Sequence, residues 1–206
     1  MMAATPIIYI VDDNADARES AQALLTEMDL RTQSFCSAEE FLRAYSGYRP
    51  ACLLTDHRML GMTGVELLEQ LRRGGVSLSV VVVTAFADTE LTVRAIRSGA
   101  VTLLEKPYSR ESLSNAIEQA LEEDRDKHAD ETRLLQIRER LNSLTDSERD
   151  VLKLIIQGQP NKVTARTLNL SVRTVESRRS SIFEKMGVGS VAEVVQLVMI
   201  GCPELH

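Results

Sequence analysis

No apolar run in this 206-residue chain approaches the length of a membrane-spanning helix, so a helical membrane protein is not expected. The opening segment MMAATP has no basic residue ahead of an apolar stretch, which argues against a secretory signal. Cysteine is scarce. Cys36, Cys52 and Cys202 are odd in number, and no pair has zinc-type spacing. A disulfide framework and a zinc module therefore drop out, and a reduced cytoplasmic location is expected. Cys52 sits inside an apolar run and reads as a small buried hydrophobe. Internal repeats and low-complexity tracts are also missing. Positive charge is in deficit, with 24 Lys and Arg against 30 Asp and Glu, a net of −6. The deficit is uneven: residues 1–140 carry −7 and residues 141–206 carry +1, which points to different partners for the two halves. What is present, 44% hydrophobic and 26% charged residues, suffices for one large core or two modest ones.

Short apolar runs alternate with helical patterns over the first 120 or so residues. Strands are expected at Ile7–Val11, Arg31–Phe35, Ala51–Thr55, Val80–Val83 and Val101–Leu104. Helices are expected at Ala15–Met28, Ala38–Tyr45, Gly64–Arg73 and Thr89–Ser98, with another starting near Ser109. The first, third and fourth strands are apolar on both faces, as a parallel sheet covered by helices on both sides requires. An α/β, doubly wound, five-stranded parallel sheet is the expected fold of residues 1–121. The segment EEDRDKHADE (122–131) lacks an apolar stripe and reads as a solvated helix extension or a linker. Residues 122–142 are taken as a charged helical linker, which could be a continuous helix or a flexible tether. Residues 143–206 are expected to form a small all-α domain with helices near Thr145–Gln157, Asn161–Leu168, Arg173–Met186 and Val191–Ile200.

In open parallel sheets, ligands sit outside the carboxyl ends of the strands. The first strand runs into Asp12 and Asp13, the third into Asp56, the fourth into Thr84 and the fifth into Lys106. A lone aspartate in such a place is most often a helix cap. Three carboxylates, a hydroxyl and an ammonium at one sheet edge favour a cation site over separate caps. Clustered carboxylates repel unless a cation neutralises them, and an oxygen-only site suits Mg²⁺. A carboxylate beside Mg²⁺ can attack a phosphoryl group, with Lys106 and Thr84 stabilising the transferring oxygens. Asp56 is the best nucleophile candidate, because its strand should be central, and the side chain of the adjoining His57 should point elsewhere.

The pieces DD (12–13), TDHRMLGMTGVELLEQL, VVVVTAFADTELTVRAIRSGA and LLEKPY, in that order, resemble the CheY-like receiver domain of two-component response regulators. The resemblance implies that Asp56 is the phosphoacceptor for a sensor histidine kinase. It implies that Asp13, Asp56 and the backbone carbonyl of Arg58 bind Mg²⁺ (or Mn²⁺), with Asp12 assisting, and that Thr84 and Lys106 contact the phosphoryl group. Two positions depart from the family pattern. Leu103 stands where relatives usually have the aromatic partner of Thr84 in the switch, and Leu60 stands where they usually have proline.

In the last third, Thr145 and Glu148 have the spacing of a capping box, and Gly158 and Pro160 end that helix. Val151, Leu152, Ile155 and Ile156 form its buried face. A short helix, a turn and a longer helix follow, with Val172, Val175, Ile182 and Met186 on the buried side of the longer one. Residues 161–185 hold six basic and two acidic residues, a local +4 in an acidic protein. A basic helix-turn-helix suits phosphate contacts with side chains directed into a major groove, whereas charge alone would fit a merely solvated face. LTDSERDVLKLIIQGQPNK, TVESRRSSIFEKMGV and SVAEVVQLVMI resemble the four-helix DNA-binding domain of the LuxR type. Carried over position by position, Glu176, Ser177 and Ser180 face base edges, and Lys162, Thr174 and Arg179 contact the DNA backbone. Arg178 stands where relatives usually have histidine.

Together the halves resemble the FixJ/NarL type of response regulator. The resemblance implies a transcription factor that dimerises on phosphorylation and binds promoter DNA, with RNA polymerase a further candidate partner and no membrane partner. Three rivals remain open: a regulator that works without phosphate, a Mg²⁺-dependent phosphatase, and a phosphate sink with an inert helical tail.

Overall fold

The computed structural model describes residues 5–202, and the chain divides into two compact units, one ending at His128 and the other beginning at Ala129. The first unit alternates strand and helix: β1 (Ile7–Val11), α1 (Ala15–Thr26), β2 (Arg31–Phe35), α2 (Ala38–Ala44), β3 (Ala51–Asp56), α3 (Gly64–Arg73), β4 (Ser79–Thr84), α4 (Thr89–Arg97), β5 (Thr102–Glu105) and the start of α5 (Arg110–Asn142). The strands form one parallel sheet in the order β2-β1-β3-β4-β5, the doubly wound arrangement expected from the sequence. β3 and β4 are buried along their whole length, because helices cover both faces.

Side-chain alternation sorts the sheet into two cores. Ile8, Ile10, Cys52, Leu54, Val81 and Val83 pack with α1 and α5. Tyr9, Val11, Leu53, Val80 and Val82 pack with α2, α3 and α4 on the other face. A one-residue slip of any central strand would exchange its two sets, so the register is strongly specified. Tyr9, Phe35, Phe41 and Tyr45 gather on the second face, with ring centroids 5.3 to 6.2 Å apart and several edge-on contacts.

α5 runs as one helix from Arg110 to Asn142. The sequence reading of 122–131 as uniformly solvated needs correction at Asp124, which is fully buried. Its Oδ2 accepts from the Ala51 amide at 3.0 Å, and its Oδ1 pairs with Arg49 Nη1 at 2.7 Å. Arg49 Nη2 also donates to Ser77 Oγ. The first unit therefore continues past Leu121, because a buried carboxylate is tolerated where charge and hydrogen bonds both meet it.

The second unit contains the end of α5, then α6 (Asp146–Ile156), α7 (Asn161–Thr167), α8 (Val172–Met186) and α9 (Val191–Gly201). Ile137 and Leu141 of α5 join Val151, Leu152, Ile155, Ala165, Val175, Ile182, Met186, Val194 and Val198 in its core. The Thr145–Glu148 capping box is formed. Gly187 ends α8 in the left-handed conformation, φ +66°, where glycine carries no Cβ penalty. Val172 was expected on the buried side of α8 but is 37% exposed, because as the first residue of the helix it has no preceding turn to cover it. No described helix is long and apolar enough to cross a membrane.

Replacing Asp124 with alanine would strand the Arg49 charge and the Ala51 amide. The loss expected from breaking such a buried pair is about 3–5 kcal/mol of unfolding free energy, read by urea denaturation followed by circular dichroism. Asp124→Asn, which keeps an acceptor for Ala51, should lose less.

Candidate functional site

The strand order sets β1 beside β3, so the residues that end them are neighbours. Asp12 follows β1 and Asp56 is the last residue of β3; both carboxylates are largely buried. Lys106 follows β5 and extends past the end of β4 to both of them. Its Nζ lies 2.7 Å from Asp12 Oδ2 and 2.6 Å from Asp56 Oδ1. The other oxygens are held by main chain: Asn14 N donates to Asp12 Oδ1 at 2.9 Å, and Arg58 N to Asp56 Oδ2 at 2.6 Å. The Lys106 amide donates to the Thr84 carbonyl at 2.7 Å, which fixes where the lysine leaves the sheet.

Burial pushes the Asp56 carboxyl above its ordinary pKa, although the Lys106 contact pulls it back. Burial alone would lower the Lys106 ammonium, but its bonds to Asp12 and Asp56 outweigh this and hold it above the usual lysine value. A raised lysine pKa marks stability that is present below the unfolded value and is lost as pH climbs through the folded one. At the neighbouring His57, burial lowers the imidazole pKa, and the buried Nδ1 has no hydrogen-bond partner among the described residues.

Asp13 and Thr84 are nearby but turned to other partners. Asp13 is exposed, and its Oδ2 accepts from the Leu60 amide at 2.8 Å. Helix α1 is capped by Asn14, whose side chain accepts from Ala17 N, so Asp13 is not spent on capping. The Thr84 hydroxyl is buried and exchanges 3.3 Å contacts with the Phe86 main chain. Leu103 is half-buried against the core on the α3–α4 side. Among the described residues, no three Asp, Glu, His or Cys side chains stand close enough to hold a metal as they are. The donor set nonetheless has the right chemistry for Mg²⁺: hard carboxylate and carbonyl oxygens at an open sheet edge.

Sequence reasoning missed four contributors. Arg18 Nη1 donates to the Asp12 carbonyl at 2.7 Å. The Arg58 guanidinium lies over the Phe86 ring, 4.8 Å from its centroid. The Leu60 amide holds Asp13. A Cβ on Gly64 would fall 2.3 Å from the Asp56 carbonyl oxygen, so only glycine lets α3 start against the end of β3. A glycine following the capping threonine was the one visible signal; backbone donors and stacking partners leave none.

In the helical unit, Glu176, Ser177, Ser180 and Lys162 are exposed, while Thr174, Arg178 and Arg179 are half-buried. The Ser180 hydroxyl bonds back to the Glu176 carbonyl, and Thr174 shares a 2.7 Å contact with Ser171 at the start of α8. Arg179 leans over Phe183, 5.8 Å from the ring centroid. Glu148 braces this helix from α6. Its oxygens accept from Lys185 Nζ at 2.7 Å, Ser181 Oγ at 2.6 Å, and the Thr145 amide and hydroxyl at 2.8 and 2.9 Å. These bonds, that from Lys185 foremost, hold its carboxyl down at about 2.

Residues 8–118 match the response regulator receiver domain, and residues 142–198 match the bacterial regulatory proteins of the luxR family. The chain is 36% identical to the transcriptional regulatory protein FixJ of Rhizobium meliloti, over 94% of this chain and 95% of the relative. It is 34% identical to FixJ of Bradyrhizobium diazoefficiens, over 93% and 94%. The solved structure of the response regulator StyR is 36% identical, with a TM-score of 0.84 over 95% of this chain and 98% of that one. The chain belongs to the two-component response regulators, and within them to those that join a receiver domain to a LuxR-type DNA-binding domain. That composition makes it a transcription regulator.

The depressed Glu148 pKa contributes stability that is present above the ordinary carboxylate value of 4.5 and is lost as pH falls toward about 2. Acid titration of the unfolding midpoint should show this loss in the helical unit, and Glu148→Gln should flatten it.

Proposed function

We propose that this protein is a phosphorylation-controlled transcription factor in which Asp56 accepts a phosphoryl group from a sensor histidine kinase. The observation that carries the reading is the convergence of Asp56, Asp12 and Lys106 at the carboxyl edge of the sheet, with Lys106 in contact with both carboxylates. An Asp56 oxygen attacks phosphorus, the bond from phosphorus to the donor nitrogen or oxygen breaks, and an acyl phosphate forms on Asp56. Asp12, Asp13, Asp56 and the Arg58 carbonyl would hold Mg²⁺ (or Mn²⁺), whose chemistry there is to neutralise charge on the phosphoryl oxygens. Lys106 then exchanges its contact with Asp56 for one with the new phosphoryl oxygens, and the Thr84 hydroxyl turns from Phe86 to donate to them.

Movement of Thr84 is read out on the neighbouring α4–β5 surface, around Leu91–Arg97 and Val101–Leu103. Val93 and Ile96 there are exposed apolar side chains, which favours pairing of two phosphorylated protomers. Leu103 takes the place of an aromatic switch residue, and its half-buried packing gives it a smaller change to report. A modest shift between two states suffices for control. Residues 143–206 bind DNA, reached from the receiver through 122–142. Glu176, Ser177 and Ser180 face base edges, Lys162, Thr174 and Arg179 meet phosphates, and Arg178 flanks them. A dimer then occupies two half-sites, and RNA polymerase is a further partner.

Acetyl phosphate with radiolabelled phosphorus should label the wild-type chain in the presence of Mg²⁺ and fail to label Asp56→Asn. Persistent labelling of the variant would sink the assignment. Arg179→Ala should weaken binding to selected and random duplexes alike and lower the salt slope by about 1, measured by fluorescence anisotropy at several salt concentrations. A loss confined to the selected duplex would contradict a phosphate contact.

A further inference from the structure

The bond from the Leu60 amide to Asp13 joins the loop between β3 and α3 to the end of β1, across 47 positions of sequence. The ends of that loop are fixed by other means. His57 N donates to the Val83 carbonyl at 2.7 Å, Gly64 N donates to the His57 carbonyl at 3.1 Å, and Thr63 forms a capping box with Glu66. Leu60 itself contributes almost no side-chain packing, being 84% exposed. Its role at the site is therefore carried by its main-chain N–H.

An amide hydrogen aimed at Asp13 Oδ2 occupies one of that carboxylate's acceptor positions and puts a partial positive charge against it. Asp13 Oδ2 is thus engaged by the loop, while Asp12 and Asp56 are engaged by Lys106. We propose that the Leu60 amide is a latch that competes with Mg²⁺ for Asp13. Cation binding then has to release the loop, and the strength of the latch sets the Mg²⁺ concentration at which Asp56 becomes competent. The inference rests on the phosphoacceptor reading of the site and adds to it how metal binding is regulated. Because coupling is reciprocal, whatever holds Leu60 against Asp13 weakens the cation, and the cation loosens the loop by the same factor.

Proline at position 60 has no N–H to donate, whereas alanine keeps it. Mg²⁺ binding to the full-length chain, measured by calorimetry, should be about three- to tenfold tighter for Leu60→Pro than for wild type, the worth of one ordinary hydrogen bond. Leu60→Ala should match wild type. In the wild-type chain, NMR-detected hydrogen exchange at the Leu60 amide should speed up on adding Mg²⁺ with no phosphodonor present. Equal or weaker binding by Leu60→Pro, or an amide that stays protected at saturating Mg²⁺, overturns the latch. If Leu60→Pro does not fold by circular dichroism, the exchange measurement on the wild type decides. Absence of Mg²⁺ binding by the wild type would remove the metal part of the phosphoacceptor reading as well. Binding that is unchanged across the three chains removes the latch alone.

Discussion

One ammonium group between two carboxylates is the constraint on which the receiver unit turns. β1 and β3 are adjacent in the sheet, so their ends lie about 5 Å apart, as hydrogen-bonded strands must. Carboxylates placed on both ends, and largely buried, repel each other. Lys106 cancels that repulsion, and it can do so because β5 lies beyond β4 and delivers the lysine to the same edge. The valine run of β4, buried on both faces, is what holds β5 in that relation to β3. The polar site is thus a product of apolar packing in the middle of the sheet.

The same bridge accounts for the electrostatic state of the site. Burial raises Asp56 and Lys106 pulls it part of the way back, whereas contact with two acids raises Lys106. A phosphoryl group on Asp56 would bring fresh acceptor oxygens to an ammonium already positioned to meet them. Little movement is asked of the lysine. More is asked of Thr84 and Asp13, whose side chains are engaged with the Phe86 main chain and the Leu60 amide. Under the phosphoacceptor reading, local rearrangement would therefore be concentrated in the two loops that follow β3 and β4.

Much of this architecture was legible from residue patterns, for identifiable reasons. The strands could be read because runs such as Val80–Val83 admit no helical face, and the site could be read because its residues fall at or just past the carboxyl ends of strands. Element ends shifted by a residue or two, as with Asp56, which closes β3 rather than following it. Other features were out of reach. Asp124 looked solvated because its burial depends on Arg49, 75 positions away. Val172 has the right spacing for a buried position, yet helix ends lack the neighbours to bury it. The bond from the Leu60 amide to Asp13 leaves no trace in side-chain patterns, since every residue except proline offers an amide. Glu148 was visible as half of a capping box, but its bonds to Ser181 and Lys185 belong to tertiary structure.

The aromatic cluster on one face of the sheet has a spectroscopic consequence. The chain has no tryptophan, and its four tyrosines, Tyr9, Tyr45, Tyr48 and Tyr108, all belong to the unit that ends at His128. Phe183 is the single aromatic beyond that point. Near-ultraviolet absorbance and intrinsic emission therefore report on the receiver and are almost blind to the helical unit. The chain carries a built-in optical label on one of its two halves, so events in the receiver can be followed with no dye attached.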